Sequence, residues 1–345
     1  MAPAQQQRMP AEWAPHAATW IAWPHNESDW PGKFAPIRWV YGEFVRLLAP
    51  HERVRILVAN DAVAAEAKET LELVGAAANW DLVRVPTNRS WTRDTGPLFV
   101  ERDGGKRATH WRFNAWAKYD DWQLDVEVAP AIASAARVPC DRVEAHGAHV
   151  VLEGGAVDVD GEGTLLATEE CLQDAVQCRN PELSREALEG VLRDQLGAER
   201  VVWLGRGIAG DDTHGHIDDL ARFVAPGLVV LCDEKDARDE NYRALAENRE
   251  RLQGARDARG RKLDVVALPM PRALAFEGRR LPASYANFYI ANEVVLVPTF
   301  NDPADRVALG VLGELFPSRQ VVGVHCVDLV WGLGTLHCMT QQEPA

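Results

Sequence analysis

Cys338 is the side chain of this sequence best suited to act as a nucleophile, because a tight glycine-containing segment, G-L-G-T-L-H-C, leads into it. Gly332 and Gly334 permit close backbone approach just before the thiol. A lone cysteine is more often structural than reactive, so its assignment depends on partners elsewhere in the chain. The thiol therefore needs an imidazole and carboxylates nearby to do chemistry.

His216 and Asp218 are the first candidates for those partners, in the segment H-G-H-I-D-D. They are two positions apart and would face the same side if this segment is extended. An imidazolium close to Cys338 would lower the pKa of the thiol below the free value of about 8.5. We therefore predict a thiol and imidazole pair.

A metal site is the rival interpretation of the same segment, since alternating His214, His216 and Asp218 can present ligands to zinc. The sequence has no H-E-x-x-H helix and no second cluster of histidines that would support it. We therefore expect neither a metal nor a cofactor, and keep a metallohydrolase as the alternative.

Two carboxylates, Asp94 and Asp218, indicate the class of substrate. A peptide carbonyl needs hydrogen-bond donors at its oxygen, whereas a planar guanidinium offers five N–H donors and needs acceptors. Carboxylates on opposite sides can hold a guanidinium with its central carbon in front of a thiolate. The sequence thus predicts a small cationic guanidinium substrate.

The expected chemistry begins with attack of Cys338 on the guanidinium carbon, while His216 delivers a proton to the departing nitrogen. Ammonia leaves, and a thiouronium adduct remains on the sulfur. His216 then deprotonates a water that releases a ureido product. Glu153, in L-E-G-G, could accept from the second ring nitrogen of His216; the alternative is a surface glutamate beside a glycine turn.

Short apolar runs rich in β-branched residues recur along the chain and predict buried strands. The predicted strands are Val54–Val58, Leu82–Val85, Val201–Leu204, Leu228–Leu231, Val265–Leu268, Val294–Val297 and Val321–Val324. The predicted helices between them are Ala62–Val74, Ser184–Leu196, Tyr242–Leu252 and Arg306–Leu315. Ser184 is a good helix start and Pro317 a good stop. The fold class is therefore mixed α/β.

A coarser repeat runs through these elements, because five times a strand is followed by a loop, a polar residue and a second apolar run. The polar residues at the equivalent positions are Asp94, Glu153, His216 with Asp218, Asn287, and Cys338. If strand-helix-strand units close around an axis, these residues converge on one site. Chance similarity between the units stays an open alternative. No Pro/Gly/Ser-rich linker divides residues 1–345, which favours a single domain.

The composition is typical of a globular protein, with 345 residues, 47% hydrophobic and 26% charged. The net charge of -14 disfavours nucleic acid and anionic membranes as partners and suits cationic small molecules. Acidity is also common in proteins simply because it keeps them dispersed. No apolar stretch approaches the roughly 20 residues of a membrane helix, and Met1–Gln7 lacks a signal sequence, so we expect a cytoplasmic protein. The six cysteines form no C-x-x-C pair.

Motifs along nearly the whole chain resemble the agmatine deiminase and bacterial peptidylarginine deiminase family, of the guanidino-modifying pentein superfamily. The matching segments are M-P-A-E-W from Met9, T-W-I-A-W-P from Thr19, W-T-R-D-T-G-P from Trp91, F-N-A-W from Phe113, L-E-G-G from Leu152, T-E-E-C-L from Thr168, G-H-I-D-D from Gly215, S-Y-A-N-F-Y-I-A-N from Ser284 and H-C-M-T-Q-Q-E-P from His337.

This resemblance implies a five-bladed α/β propeller without a cofactor. It also implies roles for the matching residues: Cys338 as nucleophile, His216 as general acid and base, Asp94 and Asp218 as the guanidinium clamp, and Glu153 as support for His216. Asn287 falls at a site position of the family, and we assign it to substrate binding. The implied reaction converts agmatine to N-carbamoylputrescine and ammonia, a step toward putrescine.

Departures from the family pattern concern the substrate tail. The family usually has G-G-G-N-I-H-C at the nucleophile, where this chain has Leu333 and Thr335, and a Gly-Gly pair where it has Ala117 and Lys118. Tryptophans could line a channel for an aliphatic tail, although tryptophans are more often core residues. The tryptophans in question are Trp91 and Trp116, our candidates, together with Trp122 and Trp331.

Several alternatives remain open from the sequence. The substrate could be arginine, peptidyl-arginine or another alkylguanidine rather than agmatine. The departures at Leu333 and Thr335 also leave room for a non-catalytic binder of guanidinium compounds or polyamines. A homo-oligomer is compatible with the sequence, which does not specify an oligomeric state.

Overall fold

The computed structural model describes residues 7–345; residues 1–6, which belong to the segment that we expect to lack a signal sequence, lie outside it. Within the described residues the strands are β1 (His16–Ala22), β2 (Val54–Val58), β3 (Trp80–Arg84), β4 (Leu98–Arg102), β5 (Gly105–His110), β6 (Cys140–Arg142), β7 (Glu144–Ala145), β8 (Ala148–His149), β9 (Asp158–Val159), β10 (Thr164–Thr168), β11 (Arg200–Leu204), β12 (Ala221–Ala225), β13 (Leu228–Asp233), β14 (Asp264–Pro269), β15 (Ala275–Phe276), β16 (Arg279–Arg280), β17 (Tyr289–Ile290), β18 (Val294–Thr299), β19 (Gln320–His325) and β20 (Thr340–Pro344).

The α-helices alternate with these strands, so the predicted α/β class is confirmed. They are α1 (Ile37–Leu48), α2 (Asp61–Leu73), α3 (Thr92–Thr95), α4 (Val128–Ala136), α5 (Glu169–Gln173), α6 (Arg185–Leu196), α7 (Asn241–Gly254) and α8 (Pro303–Leu315). Helix α6 begins after Ser184, whose side chain accepts from the Ala187 N–H as predicted. Helix α8 begins with a capping box formed by Asp302 and Asp305.

Five sheets share one strand arrangement. In each, a strand pairs antiparallel with its neighbour on one side and parallel on the other, and a segment containing a helix joins the parallel pair. The strand orders of the five sheets are β20-β1-β2-β3, β4-β5-β6, β9-β10-β11, β12-β13-β14 and β17-β18-β19. The five passages recognised in the sequence each lead into the antiparallel strand of a different sheet.

The polar residues of those passages therefore sit at equivalent places, just before the antiparallel strand begins. Asp94 precedes β4, Glu153 precedes β9, Asp218 precedes β12, Asn287 precedes β17 and Cys338 precedes β20. The same point in five sheets thus supplies one candidate side chain each.

The central strands β10, β13 and β18 are largely buried apolar runs, whereas the outer parallel strands β14 and β19 are partly exposed. Leu296 in β18 and Val230 in β13 are fully buried, and both belong to the largest cluster of buried apolar side chains. No helix within residues 7–345 has the length and apolar character needed to cross a bilayer. The core therefore fixes the sheets, and the sheets fix the loops that carry the site.

Candidate active site

A cavity of about 430 Å³ opens where these loops meet, and Cys338 and Asp94 lie in its lining. Aromatic side chains form much of its wall, and charged side chains lie around them. Its remaining lining residues are Ser28, Asp29, Pro31, Arg89, Trp91, Trp116, Tyr119, Asp121, Asp212, Thr213, Arg279, Trp331, Gly332, Leu333 and Gly334. The predicted nucleophile is therefore accessible from a concave, largely apolar site of the kind that binds small molecules.

The thiol of Cys338 is 7% exposed and is held by Asn287. Nδ2 of Asn287 donates to Sγ over 3.0 Å, and its Oδ1 accepts from the His337 N–H at 3.0 Å and the Thr335 hydroxyl at 2.8 Å. Asn287 thus contacts the predicted nucleophile directly, and its role in substrate binding stays a prediction. Thr335, one of the family departures, supports Asn287.

Gly334 makes room for the thiol. A Cβ at this position would lie 3.2 Å from Sγ of Cys338 and 2.9 Å from the ring of Trp91. Either contact would push the nucleophile or the cavity wall aside, since real Cβ atoms rarely approach so closely. The glycine before the thiol is therefore required by close packing, as the sequence indicated.

Asp94 lines the cavity, and Asp218 lies beside the thiol of Cys338 outside that lining. Oδ2 of Asp218 accepts from Nδ1 of His337 at 2.6 Å and lies 3.6 Å from Sγ of Cys338, whereas its Oδ1 has no hydrogen-bond partner among residues 7–345. Oδ1 of Asp94 accepts from the Gly155 N–H at 3.0 Å, and Oδ2 accepts from Nε1 of Trp116 at 2.9 Å. Each carboxylate is thus oriented by the protein.

His216 lies among three carboxylates. Its Nδ1 is 3.9 Å from Oδ1 of Asp94 and 4.0 Å from Oδ1 of Asp218, and its Nε2 is 3.7 Å from Oε2 of Glu153. Burial alone would lower the pKa of His216, but Asp94, Cys171 and Glu153 outweigh it and hold the pKa well above its usual value. The imidazole is therefore protonated, the form that a general acid needs.

The proximity of His216 and Asp218 has a different cause from the one we predicted. The segment is not extended: a 3₁₀ turn, Ile217–Asp219, begins directly after His216 and folds the carboxylate back toward the ring. The condition of an extended segment is therefore not met, and the side chains meet through a turn rather than through strand alternation.

Glu153 is fully buried, which excludes the surface glutamate that the sequence left open. Its Oε1 accepts from Nε of Arg179 at 3.0 Å, and the side chains of both residues are 0% exposed. Burial would raise the pKa of Glu153, but Arg179 and His216 lower it to about 2. The carboxylate of Glu153 is therefore a permanent anion. It lies 3.7 Å from Nε2 of His216, which is longer than the hydrogen bond that we expected.

The predicted lowering of the Cys338 pKa is wrong for the free protein. Burial and the nearby carboxylates of Asp218, Asp219 and Asp94 raise the pKa of the thiol well above its usual value. The sequence reasoning counted the imidazole but not the summed effect of burial and three anions. The nucleophile is accordingly a neutral thiol before substrate binds.

The carboxyl of Asp94 also titrates unusually. Burial raises the pKa of Asp94, and Asp218 and Glu153 raise it further, whereas His216 lowers it. The resulting pKa is about 6. Below that pH, Asp94 is protonated and loses the negative charge that a guanidinium requires. The ability of the site to hold a cation therefore depends on pH.

The alternative zinc trio is not assembled. Within residues 7–345, two clusters have ligand atoms within 4.8 Å of one another, and they are Glu153 with Cys171 and His216, and Asp218 with Asp219 and Cys338. His214 belongs to neither cluster, and its Nε2 lies 3.6 Å from Asp174. The metallohydrolase based on His214, His216 and Asp218 therefore lacks its predicted ligand set.

Trp91 and Trp116 line the cavity as predicted, and Trp331 does so as well. Trp122 is not in the lining, and the Arg112 guanidinium lies 5.2 Å from its ring. Trp116 adopts a left-handed backbone with φ 57°, a conformation that costs free energy in non-glycine residues. This strained turn directs the indole N–H toward Asp94.

Sequence reasoning missed the charged rim of the cavity. Asp212 accepts from the Tyr119 hydroxyl at 2.5 Å and from Nη2 of Arg279 at 2.8 Å, and it also pairs with Lys118. Arg89 similarly joins Asp29 and Asp121. These residues are remote in sequence and resemble ordinary surface charges, so no local pattern marks them.

Comparisons with known proteins indicate one family. The model of the Porphyromonas-type peptidyl-arginine deiminase family matches residues 8–344. The agmatine deiminase of Stutzerimonas stutzeri is 40% identical over 366 residues, covering 98% of this chain and 95% of the relative. The solved agmatine deiminase of Enterococcus faecalis is 33% identical, with a TM-score of 0.91, covering 100% of this chain and 98% of that one.

A further solved structure, a cysteine-to-serine variant of the C. jejuni agmatine deiminase with substrate bound, is 28% identical. Its TM-score is 0.89, with 100% of this chain and 98% of that chain covered. The fold, the site and these relatives define a guanidine-modifying hydrolase that acts on C–N bonds. The chain belongs to the Porphyromonas-type peptidyl-arginine deiminase family.

The state of the thiol can be measured by alkylation. We expect the rate at which iodoacetamide modifies Cys338, followed by peptide mass spectrometry, to keep rising with pH beyond about 8.5, the free-thiol value. Asp218→Asn removes the strongest anionic influence and should shift this titration to lower pH, whereas Asp81→Asn, at a surface ion pair, should leave it unchanged. A plateau reached by pH of about 7 in the unmodified protein would mean a preformed thiolate.

Proposed function

We propose that this protein hydrolyses agmatine to N-carbamoylputrescine and ammonia through a thiouronium adduct on Cys338. The observation that carries the proposal is the placement of the thiol 3.6 Å from Asp218, in a cavity that Asp94 also lines. The agmatine deiminases among the relatives support the choice of substrate. Within this proposal, the small cationic guanidinium substrate is the partner of the site.

Binding places the guanidinium between the two carboxylates. The free Oδ1 of Asp218 accepts from one edge of the cation, and Asp94 accepts from another. The central carbon then faces Sγ of Cys338. Because the bound cation offsets the anions that raise the thiol pKa, substrate binding itself favours the thiolate, and the thiol proton is released to solvent through the cavity that Cys338 lines.

The covalent steps follow from the protonation states in the free site. The sulfur bonds to the guanidinium carbon, and protonated His216 gives its proton to the departing amino group, so that ammonia leaves as the C–N bond breaks. Neutral His216 then takes a proton from water, whose oxygen bonds to the same carbon. Cleavage of the C–S bond releases the ureido product and the thiolate. Glu153 stabilises the imidazolium at the beginning and end of this cycle.

The cavity walls suit an alkyl tail that ends in a cation. Trp91, Trp116 and Trp331 supply apolar surface beyond the nucleophile. The cavity lining contains four aspartates, Asp29, Asp94, Asp121 and Asp212, against two arginines. This balance favours a substrate with a second positive charge over one whose tail carries a carboxylate, as in arginine.

The scaffold belongs to the same proposal. We propose that the five sheets close around one axis as a five-bladed α/β propeller forming a single domain over residues 1–345. The shared strand order and the equivalent positions of the site residues support this arrangement. A cytoplasmic location, a homo-oligomer and the absence of nucleic-acid and membrane partners stay predictions.

Loss of the nucleophile tests the reaction. Cys338→Ser should lower ammonia release from agmatine by about 10⁴-fold or more, because a serine hydroxyl is a far weaker nucleophile than a thiolate. Cys140→Ser, at an exposed cysteine, is the control and should keep full activity. Full ammonia release by the Cys338→Ser variant would contradict the mechanism.

A substrate panel separates the alternatives in the same assay. The intact protein should prefer agmatine to arginine, peptidyl-arginine and simple alkylguanidines, and its activity should survive a chelator. Loss of activity on chelation would favour a metallohydrolase, and tight binding of every guanidine without ammonia release would favour a non-catalytic binder.

The pKa of Asp94 sets the pH below which kcat/KM should fall, which is the acid limb of the pH profile. Because Asp94 is ionised only above its pKa of about 6, kcat/KM for agmatine should fall about tenfold per unit as pH drops below that value. Trp116→Phe removes a hydrogen bond that lowers the Asp94 pKa, so the limb should move to higher pH. Trp122→Phe lies outside the cavity lining and should leave the limb in place. A kcat/KM that stays constant down to a pH of about 5 would exclude Asp94 as the titrating group.

A further inference from the structure

Two residues that the proposed mechanism leaves unused, Glu12 and His337, meet behind the active site. Glu12 belongs to M-P-A-E-W near the N-terminus, and His337 belongs to H-C-M-T-Q-Q near the C-terminus. Nε2 of His337 lies 2.7 Å from Oε2 of Glu12, and Nδ1 lies 2.6 Å from Oδ2 of Asp218. The side chains of Glu12, His337 and Asp218 are 5%, 2% and 0% exposed. A buried histidine thus bridges two carboxylates.

His337 influences the ionisation of both carboxylates that it contacts. Burial would raise the pKa of Glu12, but Arg222, His337 and Arg93 lower it well below its usual value. Burial would also raise the pKa of Asp218, but His337 is the main group that outweighs burial and lowers this pKa. Each ring nitrogen of His337 therefore faces a carboxylate whose ionised form is favoured.

Charged side chains of both signs surround this bridge. Arg222 contacts Glu12 at 3.0 Å and Asp158 at 3.1 Å, and Arg93 contacts Glu12 at 3.2 Å. The carboxylate of Asp219 also lies next to Asp218. Removing one cation from such a buried set leaves an uncompensated anion, which is strongly unfavourable.

His337 is also excluded from proton transfer with the substrate. Both of its nitrogens are occupied by carboxylates, whereas neither ring nitrogen of His216 has a hydrogen-bond partner within residues 7–345. It acts on the site only through Asp218 and through its backbone N–H, which donates to Asn287. Any effect of its side chain on catalysis must therefore be transmitted by the position and charge of Asp218.

We propose that His337, held by Glu12, is the positioning residue that fixes Oδ2 of Asp218 and leaves Oδ1 as the acceptor for the guanidinium. The inference rests on the proposed function, because it assigns the guanidinium to Asp218. The 2.6 Å contact with His337 lowers the pKa of this carboxylate and restrains its rotation. Oδ2 also lies 3.6 Å from Sγ of Cys338. The contact with His337 therefore also fixes the position of the carboxylate relative to the nucleophile.

His337→Gln is the direct test, and His16→Gln is its matched control. His16 is another buried histidine that bonds to two glutamates, through Nε2 to the backbone oxygen of Glu12 at 2.7 Å and through Nδ1 to Glu52 at 3.2 Å. It has no contact with Asp218. We expect His337→Gln to lower kcat/KM for agmatine by about 10- to 100-fold, as loss of a buried supporting contact does, with a raised KM. His16→Gln should stay within about twofold of the intact protein.

The pH profile separates positioning from general destabilisation. Without His337 beside it, Asp218 ionises at higher pH, so a second ionisation should join that of Asp94, and the acid limb of kcat/KM should steepen and move upward in His337→Gln and not in His16→Gln. Glu12→Gln keeps an acceptor for His337 but lacks its charge, and should give a smaller shift in the same direction. If His337→Gln does not fold, Glu12→Gln carries the test. An unchanged limb in the folded variants, or equal losses for His16→Gln and His337→Gln, would overturn the proposal.

A binding measurement keeps this inference distinct from the proposed function. Methylguanidinium should protect Cys338 of the intact protein and of His16→Gln from iodoacetamide, and protection should weaken about 10- to 100-fold in His337→Gln. If agmatine yields no ammonia but this pattern holds, the positioning role stands and the proposed reaction fails. Equal protection of all three proteins would overturn the positioning role even if agmatine is hydrolysed.

Discussion

The site depends on buried negative charge that the free protein leaves incompletely compensated. Asp94 and Asp218 lie close to the thiol of Cys338, and together with burial they raise its pKa. Burying anions without partners is costly, so a cation that fits between them is bound strongly. A guanidinium meets this requirement, and its charge simultaneously promotes the thiolate that attacks it. Binding of the guanidinium and activation of the thiol thus result from the same electrostatic interaction.

The scaffold makes this arrangement possible by bringing side chains from distant segments to equivalent places. Asp94, Glu153, Asp218, Asn287 and Cys338 each precede the antiparallel strand of a different sheet. The supporting ion pairs lie behind them, where Arg179, Arg93 and Arg222 offset carboxylates that do not face the cavity. Fixed ions in the interior therefore orient the groups that react.

Much of this could be predicted from the sequence, because strands rich in β-branched residues and capped helices are encoded locally. Strand β2 begins and ends at the predicted residues, and Ser184 caps α6. The contacts of Glu153 with Arg179 and of His337 with Glu12 could not be predicted, since the partners are remote in sequence. The raised thiol pKa was also missed, because it is the sum of burial and several charges that only the folded chain brings together.

The most direct test of the account is to identify the covalent intermediate. Agmatine mixed with the protein and quenched in acid within milliseconds should leave a peptide containing Cys338 heavier by the mass of agmatine less one ammonia. The account predicts this adduct on Cys338, and its absence in Cys338→Ser. Rapid ammonia release with no adduct under any quench time, or an adduct on another residue, would contradict it.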